Sequence, residues 1–266
     1  MNSRVALVTG AARGIGAATV LALAGAGWSV LAVDSAADDP ALPYPMATPA
    51  DLSEVVRRAG GAAGAGPVRS FVADVRDPDA VAAAVAEAER PWGGLDAAVA
   101  AAGVIAGGVP LWEVPPAQQQ AVLDVNLGGV LSLARAAVPA LLRRPVPRSG
   151  RFLAVASAAA TRGLPMLAAY CAAKAGVTGL IRALAAELAD SGVTANAVSP
   201  GSTATPILDE SARLYRLPGA EAFAGQQPAG RLLDPAEVAA VLAFLAGPAS
   251  SGMTGAVVPV DGGLAL

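Results

Sequence analysis

RVALVTGAARGIG, residues 4–16, decides how this chain is to be read. A short apolar run ends in a glycine-rich turn, and a helical pattern, AATVLALAGAG (17–27), follows at once. Strand, tight turn and helix therefore succeed one another without a linker. Gly10 permits the turn, Gly14 lets backbone approach a bound anion, and Gly16 allows the helix to pack closely on the strand. A helix starting here aims free N–H groups and a partial positive charge at that anion. The spacing is GxxxGxG, and among 30 glycines a triplet alone carries little weight. Its place between strand and helix, with an acid at the end of the next strand, makes it a dinucleotide signal. That acid is Asp34, 18 residues after Gly16. A carboxylate there accepts hydrogen bonds from the adenosine ribose and repels a 2′-phosphate, so the expected cofactor is NAD rather than NADP. Arg13 is the counter-signal, because a cation in this loop suits such a phosphate.

Outward from this unit the rhythm repeats. Apolar runs at 4–10, 28–34, 68–74, 95–103, 150–157, 193–200 and 255–262 read as seven strands. Several are apolar on both faces, as strands of a buried parallel sheet must be. Helical patterns occupy 14–26, about 50–60, 78–89, 116–142, 168–190 and 235–246. Asp77 before Pro78 and Asp234 before Pro235 read as N-caps with a first-turn proline. The expected fold is α/β, a doubly wound parallel seven-stranded sheet with helices on both faces, formed by residues 1–266 as one domain. Two stretches interrupt the alternation. Residues 35–50, SAADDPALPYPMATPA, lengthen the crossover after the second strand with four prolines, and Tyr44 and Met46 suggest that the stretch packs on something. Residues 201–233 separate the last two strands, and 202–230 within them read as a substrate lid, with Leu208, Leu214, Tyr215, Leu217 and Phe223 as its apolar face.

Composition removes whole classes of function. Net charge is −3 with no basic cluster, which argues against nucleic acid. The longest apolar run, 97–112, is broken by glycines and a proline and falls short of a membrane span, so a soluble cytoplasmic protein is expected. Cys171 is the only cysteine and reads as a small core residue. Histidine is absent, which excludes a histidine base and argues against a zinc site; no metal is expected. Proton transfer falls to Tyr, Lys, Asp, Glu or water.

AAYCAAKAG, 168–176, answers that requirement. Lys174 is the only lysine in the chain, and every other basic residue is arginine. Tyr170 lies four residues earlier, on the same face of a helix. The unperturbed pKa of tyrosine is about 10. A cation about 4 Å away interacts by roughly 4 kcal/mol at an effective dielectric near 20, enough to bring the phenol toward neutrality before desolvation subtracts its share. Such a phenol can exchange a proton with an alcohol.

Taken together, TGAARGIG, Asp34, Asp74-Val75, AAAG (100–103), Asn126, Ser157, YCAAK (170–174), Pro200-Gly201 with Thr205, and the VDGG ending resemble the short-chain dehydrogenase/reductase family over nearly the full length. The resemblance implies a catalytic tetrad of Asn126, Ser157, Tyr170 and Lys174. Ser157 would hydrogen-bond the reacting oxygen, Lys174 would also reach the nicotinamide ribose, and Asn126 would hold a water linking the lysine to solvent. It also implies an NAD site drawn from Gly10, Arg13, Gly14, Ile15, Gly16, Asp34, Asp74, Val75, Ala101, Gly103, Tyr170, Lys174, Pro200, Gly201, Thr203 and Thr205. The family's usual NNAG segment reads AAAG here, so the asparagine side chains that brace the central strands are missing.

YPMATPADL and PGSTATPILDESARLYRL are similar to segments of the mycofactocin-associated branch. That resemblance implies an insert covering tightly held NAD and electron transfer to a peptide-derived redox carrier, mycofactocin. The family also implies a homotetramer. The expected substrate is a small, mostly apolar secondary alcohol or its ketone. Two other readings stay open: an ordinary reductase with exchangeable NAD(P)H, such as the 3-oxoacyl carrier-protein type, and a non-catalytic dinucleotide sensor on the same fold.

Overall fold

Seven parallel strands lie in the order β3–β2–β1–β4–β5–β6–β7. They are β1 (Val5–Thr9), β2 (Ser29–Asp34), β3 (Val68–Val72), β4 (Ala97–Ala100), β5 (Arg151–Val155), β6 (Thr194–Pro200) and β7 (Val257–Val260). The computed structural model describes residues 4–61 and 63–266. Each strand falls within one of the seven apolar runs. β1 and β5 are buried along their whole length, which is why they show no polar alternation.

Among the described residues eight α-helices connect the strands: α1 (Gly14–Gly25), α2 (Pro49–Gly60), α3 (Pro78–Trp92), α4 (Pro116–Leu123), α5 (Gly129–Leu142), α6 (Ala168–Glu187), α7 (Pro206–Leu214) and α8 (Pro235–Ala246). Side chains of α1, α2 and α8 pack with Val8, Val30 and Leu153 on one face of the sheet. Those of α3, α5 and α6 pack with Leu7, Leu31 and Phe152 on the other. Asp77 and Asp234 cap α3 and α8 as the sequence indicates: each carboxylate accepts backbone N–H groups of the first turn, and each helix starts on a proline.

Two features depart from the pattern. The long helix expected over 116–142 is interrupted by a π-turn at Asp124–Gly128, one residue wider per turn than α-helix. The whole helix, Pro116–Leu142, and not the 97–112 run, is by length and composition apolar enough to cross a membrane. Half of its most apolar window is buried inside the protein, with Leu133, Ala137 and Leu141 against the sheet. The second departure is α7. It starts on Pro206, capped by Thr205, within the stretch that broke the alternation.

The direction in which successive strands are added reverses at the sheet centre, where β1 leads out to β2 and β3 while β4 leads to β5, β6 and β7. The carboxyl ends of β1 and β4 diverge there and leave a crevice, the position at which open α/β sheets place ligands.

Candidate active site

A cavity of about 800 Å³ opens at those strand ends. Its floor is the glycine loop. Gly10 has φ +65°, and a Cβ on it would stand 2.6 Å from Ala102 Cα, so only glycine fits this turn. A Cβ on Gly16 would collide with the Gly10 carbonyl. Helix α1 has no side-chain cap, whereas α2, α3, α7 and α8 each have one. Its first-turn N–H groups therefore face the cavity with no side chain competing for them, the arrangement that receives a phosphate. Asp34, at the end of β2, accepts N–H groups from Ala12 and Ala36, both at 3.0 Å, which holds its carboxylate at the cavity edge. The residues present fit a dinucleotide: a cradle without Cβ atoms, an uncapped helix end and an acid aimed at a ribose.

The strand-bracing task that AAAG leaves open falls to Thr9. Its Oγ1 accepts from the N–H groups of Ala101 (3.2 Å) and Ala102 (3.4 Å). This contact joins residues 9 and 101 across two strands, and nothing local in the sequence announces it.

Ser157, Tyr170 and Lys174 line the same cavity. Ser157 follows β5 and its Oγ accepts from Ala159 N–H at 3.1 Å. Tyr170 sits in the first turn of α6. Burial raises its pKa and a hydrogen bond with Ser157 pulls the other way. Lys174, buried one turn on, donates to the Val155 carbonyl at 2.8 Å. Its Nζ lies 5.7 Å from the centre of the Tyr170 ring, and desolvation lowers its pKa to about 8. The expectation that the ammonium makes the phenol acidic is corrected here. In this arrangement burial raises the phenol, and the Lys174 ammonium, lowered to about 8 by desolvation, turns one of its three donors to the Val155 carbonyl.

Of the predicted site residues, Asn126 alone does not line the cavity. It is fully buried in the π-turn, its Oδ1 accepts from Val104 N–H (3.2 Å), and its Nδ2 donates to the carbonyls of Val104 and Val122 (2.8 Å each). It stands close behind the wall: a Cβ on Gly103 would lie 2.9 Å from Asn126 Oδ1 and 3.8 Å from Lys174 Nζ. Gly10, Arg13, Gly14, Ile15, Gly16, Asp34, Asp74, Val75, Ala101, Gly103, Pro200, Gly201, Thr203 and Thr205 all line the cavity. Cys171, read as a core residue, is half-buried instead.

The insert lies over this cavity. Tyr44 Oη accepts from Ile105 N–H at 3.0 Å, Arg13 donates to the Pro45 carbonyl at 3.2 Å, and Asp39 pairs with Arg76 at 2.7 Å. Leu42 and Met46 pack with Val75, Val104 and Tyr170. Burial pushes the Tyr44 phenol up to about 12. Arg13 is thus engaged with the insert, which weakens the case for it as a 2′-phosphate ligand.

Opposite the insert, the lid closes the far wall. Tyr215 donates to the Pro165 carbonyl at 2.7 Å and meets Phe223 edge to face. Leu208, Tyr215, Leu217 and Phe223 line the cavity, whereas Leu214 packs behind it on Gly108. Arg162, Leu164 and Pro165 complete this end, and no motif in the sequence singles them out.

Residues 10–265 match the family model described as Enoyl-(Acyl carrier protein) reductase. Short-chain reductase protein NovJ of Streptomyces niveus is 40% identical over 265 residues, covering 97% of this chain and 93% of that protein. The chain belongs to the short-chain dehydrogenase/reductase family. Within this family, cis-4-hydroxycyclohexanecarboxylate dehydrogenase of Sinomonas cyclohexanicum is 40% identical over 262 residues, covering 98% of this chain and 96% of its own. The crystal structure of carveol dehydrogenase from Mycobacterium avium in complex with NAD superposes with a TM-score of 0.91 at 33% identity, covering 98% of this chain and 97% of that one.

Proposed function

We infer that this short-chain dehydrogenase/reductase is an NAD-dependent enzyme interconverting a small secondary alcohol and its ketone. The observation that carries this reading is the convergence of Ser157, Tyr170 and Lys174 on the cavity that also holds the glycine cradle and Asp34. Similarity to a carveol dehydrogenase and a hydroxycyclohexanecarboxylate dehydrogenase supports the alcohol/ketone class.

When bound, NAD supplies the two-electron redox chemistry. The chain's part is binding, proton transfer and exclusion of water. Tyr170 Oη exchanges a proton with the substrate oxygen, and Ser157 Oγ hydrogen-bonds the same atom and holds it in place. With its pKa raised, Tyr170 is protonated at neutral pH and is set as the acid for ketone reduction. Alcohol oxidation requires the phenolate and is favoured as pH rises. Lys174, close to Gly103 and Asn126, is placed to hold the cofactor ribose. Asn126 is a positioning residue that fixes the Val104 backbone behind it. Asp34 selects NAD over NADP.

The insert supports a finer reading. Tied to the glycine loop, to Arg76 and to Ile105, residues 35–50 would cover the nucleotide so that it does not exchange freely, and mycofactocin, a peptide-derived carrier, would accept the two electrons of its reduced form. An ordinary reductase with exchangeable cofactor would have no use for these three ties. We further assign a cytoplasmic homotetramer with residues 1–266 as one domain.

The test is turnover of a panel of secondary alcohols with an artificial electron acceptor, with and without added NAD, alongside native mass spectrometry of the purified protein. Oxidation with NAD co-purified is the expected outcome. Protein that oxidises no alcohol and reduces no ketone under either condition contradicts the catalytic reading. Protein that binds and releases NAD within milliseconds contradicts the trapped cofactor.

A further inference from the structure

Three arginines line the cavity, and their partners differ. Arg76 is neutralised by Asp74 and Asp39. Arg13 is tied to the insert at the glycine loop. Arg162 stands at the opposite end, among Leu164, Pro165 and Leu264, and has no carboxylate within ion-pair distance among the described residues. Among the described residues its guanidinium makes one hydrogen bond, from Nη1 to the Leu264 carbonyl at 2.6 Å.

That tether is itself fixed. Asp261 accepts N–H groups from Gly263 (2.9 Å) and Ala265 (3.0 Å), and Leu264 N–H returns to the Asp261 carbonyl (3.0 Å). The C-terminal turn therefore presents a carbonyl that holds the exposed guanidinium at the cavity rim, and among the described residues the Nε and Nη2 donors of its fork have no partner. A guanidinium cannot discharge at working pH and offers five donors in a plane that matches a carboxylate. The acidic residues that line the cavity, Asp34, Asp38, Asp39 and Asp74, all lie at the cofactor end. At the substrate end no carboxylate among the described residues lines the cavity, and its walls combine Leu208, Leu217 and Phe223 with the polar Ser211, Tyr215 and Gln226.

Resting on the redox reading above, we propose that Arg162 is a specificity-determining residue and that the substrate is a hydroxy acid or oxo acid. One end of the molecule bears the carbinol or ketone carbon, which meets Ser157 and Tyr170. The other end bears a carboxylate, which meets the free edge of Arg162 across an apolar middle. Lys174 does not compete for it, because that ammonium is buried and bonded to Val155.

The test compares binding of 4-oxocyclohexanecarboxylate and 4-oxocyclohexanecarboxamide to NAD-loaded enzyme by calorimetry, in wild type, Arg162→Gln and Arg162→Lys. A charge-assisted hydrogen bond predicts about a tenfold preference for the acid in wild type. Arg162→Gln abolishes the preference, Arg162→Lys restores part of it, and added salt weakens it. In turnover, Arg162→Gln raises KM for 4-hydroxycyclohexanecarboxylate by about tenfold more than it changes KM for cyclohexanol. Equal binding of acid and amide to wild type, or a preference that survives in Arg162→Gln, overturns the proposal. The two readings fail separately. Loss of all turnover with carboxylate preference intact counts against the redox chemistry alone, and equal binding with turnover intact counts against Arg162 alone.

Discussion

Lys174 and Tyr170 share one face of α6, yet the ammonium points past the phenol to the Val155 carbonyl, 2.8 Å away. The pair is therefore a buried ammonium and a partly buried phenol, each displaced toward its neutral form, rather than a preformed ion pair. Tyr170 is raised by burial, and Lys174 is lowered to about 8. This has a measurable consequence for stability.

A lysine with a folded pKa near 8 and an unfolded value of 10.5 binds fewer protons folded than unfolded between those limits. Stability from this group is therefore fully present above 10.5 and is lost as pH falls through about 8. Comparing urea unfolding of nucleotide-free wild type with Lys174→Met isolates this group from the tyrosines. The stability difference should shift in favour of wild type by up to about 3 kcal/mol from pH 8 upward. A difference that is flat with pH would show that Lys174 is not desolvated.

Asp34 accepts two backbone N–H groups and still presents lone pairs to the cavity. Replacing it with asparagine removes the charge that repels a 2′-phosphate and weakens ribose recognition. NAD affinity should fall roughly tenfold or more, by the usual strength of hydrogen bonds to a charged group, while NADP affinity rises. Fluorescence titration with both nucleotides measures the ratio, and an unchanged ratio would remove Asp34 from cofactor selection.

Tyr44 ties the insert to Ile105 across 61 positions of sequence. Tyr44→Phe leaves the Ile105 N–H without an acceptor at a cost of about 1–3 kcal/mol, so the insert should open more often and NAD should leave roughly ten- to a hundredfold faster. Stopped-flow release of the reduced nucleotide reads this directly. Release at the wild-type rate would mean that other contacts hold the insert down.

How much of this was visible in the sequence follows from the range of each interaction. β1, β5 and β6 were legible because a strand buried on both faces needs an apolar run. α3 and α8 were legible because Asp77-Pro78 and Asp234-Pro235 satisfy first-turn donors locally. The π-turn at 124–128 was not, since one extra residue per turn leaves the apolar pattern nearly intact. Helix α7 was hidden by the prolines and glycines around it, although Thr205-Pro206 is itself a helix start. In the site, the glycine cradle and Asp34 were readable because strand, turn and helix are contiguous. The Thr9 brace, the Tyr44 tie and the direction of Lys174 all depend on partners distant in the chain, and the charge of Arg162 gained meaning only from its neighbours in space.

The central claim is that the Tyr170 hydroxyl moves the proton, and the most direct test is single-turnover oxidation of a secondary alcohol by NAD-loaded Tyr170→Phe whose folding and nucleotide content match wild type. Removing a positioned proton-transfer group predicts a loss of about 10²- to 10⁴-fold in the rate of the chemical step, with nucleotide binding preserved. An undiminished rate in that variant would contradict the account.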